Sequence, residues 1–156
     1  MRKINFKSLL FHLFVPLMLS FIISMLIGDY SSYYNSIVKP VTVPSIVFPI
    51  VWTILYLLMG VSAYIVDNSD DPNSDKAMRF YYIQLLLNLL WTPVFFLFKL
   101  KGGSVILTVL LLIFVLLTAY KFYKINKVSG ILFIPYILWT VFALYLTTGI
   151  YFLNMK

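Results

Sequence analysis

The sequence contains no cysteine and no glutamate, and only 11% of its 156 residues are charged. The missing cysteine excludes disulfides, thiolate metal sites, haem attachment through C-x-x-C-H and a cysteine nucleophile. Only five acids occur, Asp29, Asp67, Asp70, Asp71 and Asp75, and all fall between apolar runs. Ion-coupled transport normally marks itself with ionisable residues inside spans, and none is evident. Ordinary acid, base or nucleophilic chemistry finds no paired groups either. A soluble domain carries about a quarter of its residues as charges. This chain is instead 62% hydrophobic, so a bilayer is the implied solvent.

What is present are apolar runs of about 20 residues, long enough to cross roughly 30 Å of hydrocarbon as helices. Every backbone polar group in hydrocarbon must be satisfied within its own segment, which favours helices. Five spans are predicted, at about 9–27, 45–66, 78–98, 104–123 and 130–153 of a single 1–156 domain. The fold class is therefore an all-α integral membrane protein, a bundle of five transmembrane helices. The first run follows Arg2, Lys3 and Lys7, but it exceeds a signal-peptide h-region and lacks an A-x-A-like cleavage site. It reads as a retained span.

A net charge of +7 could suggest nucleic acid, yet the basic residues sit singly or in small groups at the ends of apolar runs and read as interface anchors. One side of the membrane collects eight (Arg2, Lys3, Lys7, Lys76, Arg79, Lys121, Lys124, Lys127) and the other four (Lys39, Lys99, Lys101, Lys156). The amino terminus is expected in the cytoplasm.

The stretch at about 28–44 is long for so small a bundle. It holds Tyr30, Tyr33, Tyr34 and the stiff KPVTVP segment, in which Pro40 and Pro44 refuse helix. It reads as a lid, or as a solvated linker. The acidic DNSDDPNSD loop lacks the glycine and glutamate of a calcium-binding loop, and Ser74 or Asp75 is expected to cap the helix that follows.

Within the spans, Gln84, Asn88, Trp91 and Phe95 share one face of the third helix. Two amides in hydrocarbon need partners, so this face turns inward, toward other helices or a ligand. The second span offers Trp52, Tyr56 and Gly60, and the fifth Tyr136, Trp139, Ala143 and Thr147, with Gly60 and Ala143 expected to leave room. Three aromatic faces with a few placed polar groups suggest a small-molecule pocket. The first span carries Ser20, Ser24 and Gly28 as a small-residue packing stripe, and the fourth, with Thr108 and Thr118, reads as scaffold. His12 is expected as an interfacial side chain rather than a haem ligand. No metal site and no resident cofactor is expected.

KPVTVPSIVFPIVWTILYLLMG (39–60), QLLLNLLWTPVFF (84–96) and PYILWTVFALYL (135–146) occur in order and at suitable separations. They resemble the signatures of the translocator protein family, the tryptophan-rich sensory proteins or peripheral-type benzodiazepine receptors. The chain departs from the family at Thr42, Ser45 and Thr147, where tryptophan, proline and asparagine are common, and it keeps only three tryptophans. The resemblance implies a homodimeric five-helix bundle in the cell membrane. Its ligands would be tetrapyrroles such as protoporphyrin IX, with sterol-like lipids and benzodiazepine-type drugs as further classes. The ligand-binding positions it implies are Tyr33, Pro44, Trp52, Tyr56, Asn88, Trp91, Trp139, Ala143 and Leu146, with Gln84 their neighbour. Porphyrin handling or stress signalling is the implied role. The alternative is light-dependent porphyrin degradation, with Trp52 and Trp139 as the catalytic residues. Leu146, Tyr151 and Lys156 also fit a sterol-contact pattern that serves equally as interface anchoring.

Overall fold

A computed structural model describes residues 4–155, so Arg2, Lys3 and Lys156 lie outside the described residues. Among the described residues seven α-helices follow one another: α1 (Phe6–Ile27), α2 (Tyr30–Ser36), α3 (Val47–Asp67), α4 (Ser74–Thr92), α5 (Lys101–Ile125), α6 (Lys127–Leu132) and α7 (Ile134–Leu153). A wide turn at Pro93–Leu97 prolongs α4, and α6 runs on into α7. Five segments of the described residues are long and apolar enough to cross a membrane: Phe6–Ile27, Val47–Asp67, Ser74–Leu97, Lys101–Ile125 and Lys127–Leu153. Leu, Ile, Val and Phe also cover their outer faces, as lipid contact requires.

The connections set the layout. A single residue, Asn126, separates α5 from α6, and its side chain accepts the Val128 and Ser129 amides. The helices on either side must therefore lie adjacent and antiparallel. Gly130 makes this possible, because a Cβ there would sit 2.3 Å from Tyr123 Cβ. α5 packs between α4 and α7, while α3 packs against α1, α4 and α6. The half of the bundle nearer the amino terminus is densely filled by Met59, Val66, Tyr81, Phe122, Phe133 and Tyr136. A second apolar cluster under α2 joins Tyr34, Ile37, Phe95, Leu146 and Ile150.

Several local expectations need correction. The 28–44 stretch is not irregular throughout: Gly28 ends α1 at φ 72°, and Asp29 caps a seven-residue helix, α2, by accepting from the amide and hydroxyl of Ser32. Ser74 is already inside α4, whose cap position is Asn73; Asp71 instead accepts the Asn73 amide. Asp67 is the last residue of α3 rather than a loop residue. It accepts a 3.1 Å hydrogen bond from His12, which is 3% exposed and so packs against α3 instead of standing free at the surface.

The Ser32 bonds hold the Asp29 carboxyl below its usual 3.8, so the folded lid favours the charged form. Its contribution is present above that value and disappears as pH falls through the lower folded one. Amide exchange in α2, corrected for intrinsic rates, should therefore quicken at pH 3 relative to pH 6. Asp29→Asn, which can still cap but cannot titrate, should remove the difference.

Candidate functional site

Between the two clusters lies a cavity of about 380 Å³, within the range of small-molecule sites. α2 roofs it through Tyr30 and Tyr34. α1 contributes Leu17, Ser20, Phe21, Ser24 and Ile27; α3 contributes Phe48, Pro49, Trp52, Thr53 and Tyr56. Trp91, Thr92, Phe95 and Phe96 close one side, and Leu146, Thr147 and Ile150 of α7 close the back. Among the described residues no charged side chain borders it. Its polarity is that of hydroxyls set among aromatic faces. It can therefore bury flat apolar area and orient it with a few hydrogen bonds.

A second hollow of only about 40 Å³ shares Phe48, Trp52, Trp91, Leu146 and Thr147 with the first and adds Asn88, Trp139 and Ala143. It holds a few waters at most. Trp52, Asn88 and Trp139 thus border one space, but the larger volume lies nearer α1 and α2.

The aromatic walls are fixed by their neighbours. Trp91 stacks on Phe95 at 4.9 Å with planes 8° apart, and its indole N–H donates to Thr108 Oγ1 at 2.8 Å. Thr108 in turn donates to the Ser104 carbonyl, so α5 orients a cavity residue instead of serving only as scaffold. The wide turn at Pro93–Leu97 brings Phe95 and Phe96 both to the cavity, a common use of such turns. Trp52 lies 5.6 Å from Tyr56 and edge-on to Tyr136, and Trp139 lies edge-on to Phe48.

The two amides of α4 are engaged between helices. Tyr56 Oη donates to Asn88 Oδ1 at 2.9 Å, Asn88 Nδ2 donates to Tyr136 Oη at 2.7 Å, and Tyr136 Oη donates to Gln84 Oε1 at 2.8 Å. This relay ties α3, α4 and α7 together at the floor of the site. Asn88 borders the small hollow, whereas Gln84, one turn further from it, borders neither space.

Of the other expected positions, Trp52, Trp91 and Leu146 border both spaces, Tyr56 the larger, and Trp139 and Ala143 the smaller. Tyr33 and Pro44 border neither: Tyr33 packs edge-on against Phe95 and Phe96 behind the wall, and the Pro44 carbonyl accepts the Val47 amide at the start of α3. Tyr34 and Ser45 take the places at the roof. Gly60 does not leave room for a ligand; a Cβ there would meet the His12 carbonyl oxygen at 2.5 Å, so Gly60 seats α3 on α1. Ser20 and Ser24 line the cavity, which sequence reasoning misses. Their small size is the signal, and in one dimension it reads as packing alone.

The roof is tied down on its water side. Asn154 at the end of α7 accepts the Val38 amide at 3.1 Å and donates to its carbonyl at 2.8 Å. Lys39 folds back to donate to the carbonyls of Tyr34 and Ile37, its ammonium 4.7 Å from the Tyr34 ring centre, instead of reaching outward as a plain interface anchor. Ser31 Oγ donates to Ser45 Oγ across the lid.

Comparison with known proteins gives concordant matches. The chain is 36% identical over 102 residues to a tryptophan-rich sensory protein of Cereibacter sphaeroides, covering 65% of this chain and 61% of that one. It is 37% identical over 103 residues both to protein CrtK of Rhodobacter capsulatus (64% of each chain) and to tryptophan-rich protein TspO of Chlorobaculum tepidum (65% of each). The matched region thus spans a little under two thirds of these relatives' length. Residues 12–153, all five membrane-crossing segments in whole or large part, match the TspO/MBR family. This multi-pass membrane protein belongs to the TspO/MBR family.

Proposed function

We propose that the protein is a receptor or transporter-like binder of tetrapyrroles, protoporphyrin IX first among them, and of other flat apolar ligands in the 380 Å³ cavity, acting in porphyrin handling or stress signalling. The observation that carries this reading is an uncharged space walled by Phe48, Trp52, Trp91 and Phe96 beneath a tied roof. A flat macrocycle gains from such walls roughly 25 cal/mol per Å² of apolar area buried, and the hydroxyls supply orientation. The sensory and TspO names of the relatives support the receptor side of the proposal. The setting proposed is the cell membrane, with the amino terminus cytoplasmic on the count of basic residues. A homodimer, and sterol-like lipids or benzodiazepine-type drugs as further ligands, belong to the same proposal.

The test is a titration of purified protein with protoporphyrin IX in the dark, followed by tryptophan quenching, and then illumination. Saturable binding is expected, weakened several-fold by Trp52→Phe and less by Trp139→Phe, because Trp52 borders both spaces and Trp139 only the smaller. Porphyrin lost in light faster with protein than without, and kept in either variant, would instead favour the degrading enzyme. Absence of saturable binding would rule out the tetrapyrrole assignment.

A further inference from the structure

The cavity is tied over on its loop side, and on the α1–α3 side part of its lining is accessible from outside. On the water side the roof is held by Asn154, Lys39 and the Ser31–Ser45 bond, and Tyr34 is only 2% exposed. On the lipid side, α1 and α3 are antiparallel and meet where His12 touches Gly60. Nine residues beyond His12 is Phe21; nine before Gly60 is residue 51, between Pro49 and Thr53. At 1.5 Å per residue these lie about 13 Å from the contact and at one level. Phe21, Pro49 and Thr53 all border the cavity, yet all three are exposed, Phe21 to 65%. Residues that border the space and are also accessible place the edge of that space between their two helices.

The sequence of α1 explains why the edge is there. Pro16 sits inside the helix and has no amide to give the His12 carbonyl, four residues back. Gly60 packs its backbone against that same carbonyl. Before Pro16 the helix is fastened to the end of α3: the Asn5 amide donates to Tyr64 Oη at 3.1 Å, Asn68 Nδ2 to Ser8 Oγ at 2.8 Å, and His12 pairs with Asp67. After Pro16 the helix is the thin wall formed by Leu17, Ser20, Phe21 and Ser24. A break in the hydrogen-bond ladder next to a fixed anchor is where a helix bends.

We infer that the site takes and releases its ligand through the hydrocarbon phase, by way of the crevice between Leu17–Ile27 of α1 and the first turns of α3, with α1 pivoting at Pro16. This rests on the reading of the cavity as a ligand site and adds the ligand class: amphiphiles that dissolve among acyl chains, rather than solutes captured from water beneath a lifting lid. The small residues Ser20 and Ser24 give the wall its clearance, and the bulky Phe21 ring covers the gap.

The natural absence of cysteine makes the route testable. In phosphatidylcholine vesicles the Phe21→Cys/Thr53→Cys protein is loaded with protoporphyrin IX, tethered with a short bifunctional thiol reagent, and chased with empty vesicles while tryptophan fluorescence recovers. The Val38→Cys/Asn154→Cys protein, tethered in the same way, holds the lid to α7. The α1–α3 tether should slow release by about tenfold or more, and the lid tether by less than about twofold, as release rates report the path taken. Pro16→Ala without any tether should slow loading and release together, by several-fold, at little-changed affinity. Slowing by the lid tether, alone or as strongly as by the other, overturns the lateral route, as does release unaffected by the α1–α3 tether and by Pro16→Ala. Failure of the untethered wild type to show saturable quenching is a different result: it rejects the tetrapyrrole reading itself, and this inference with it.

Discussion

Asn88→Leu should cost the bundle about 2 kcal/mol and lower its thermal midpoint in detergent by roughly 4–8 °C. Asn88 sits at the centre of the relay: its carbonyl accepts from Tyr56 and its amide donates to Tyr136. Leucine keeps the branching of the side chain but removes the acceptor of the Tyr56 bond and the donor to Tyr136. A buried polar group left unpaired costs about 1–3 kcal/mol, whereas an average interhelical bond in membranes contributes only about 0.6. Asn88 contributes more than that average because its one side chain joins three helices. Gln84→Leu should cost less, about 1 kcal/mol, since Tyr136 loses one acceptor and still receives the Asn88 bond. Equal midpoints for Asn88→Leu and wild type would show that the relay contributes nothing to stability.

Gly60→Ala should be of comparable severity for a steric reason. The added methyl would lie 2.5 Å from the His12 oxygen, 3.1 Å from its carbonyl carbon and 3.2 Å from Leu13 Cα. All three are backbone atoms, so no side chain can rotate away, and α1 has to withdraw from α3. Overpacking of this kind costs about 1–3 kcal/mol, and withdrawal also strains the 3.1 Å His12–Asp67 bond. Gly103→Ala is the control: its methyl would meet only side chains, Leu100 at 3.5 Å and Val94 at 3.7 Å, and should be neutral or slightly stabilising. The two midpoints, measured side by side, check the prediction. A Gly60→Ala protein as stable as the control would mean that α1 and α3 do not meet at this point.

The five spans are legible because hydrocarbon leaves the backbone so few options, and a run such as Val105 to Leu117 admits little besides a membrane helix. Helical periodicity also sets Gln84, Asn88, Trp91 and Phe95 on one face, and the first three are buried or half-buried as amide and indole groups require. α2 is harder to read. YSSYYNS is short and polar, and the prolines downstream draw attention from Asp29, whose cap position three residues before Ser32 is the available signal.

Cavity and packing contact also look alike in one dimension. Ser20 and Ser24 on α1, and Gly60 on α3, are all small residues in spans, yet the serines face open space and the glycine faces backbone. What separates them is the neighbour each one meets, the His12 backbone for Gly60 and the cavity for Ser20 and Ser24, and that is settled only once the helices are packed. The position of Tyr34 rather than Tyr33 at the roof likewise depends on the rotation of α2, which spacing within the loop does not specify.

The most direct measurement is of ligand affinity after the cavity has been filled from its α1 wall. Ser24→Phe places a ring in the 380 Å³ space while leaving the relay residues and the tryptophans themselves unaltered. The dissociation constant for protoporphyrin IX in vesicles should rise by about tenfold or more, the loss of roughly 1.4 kcal/mol of contact, while the thermal midpoint stays within a few degrees of wild type. An affinity within twofold of wild type, in a protein that remains folded, would place the ligand somewhere other than the chamber beneath α2.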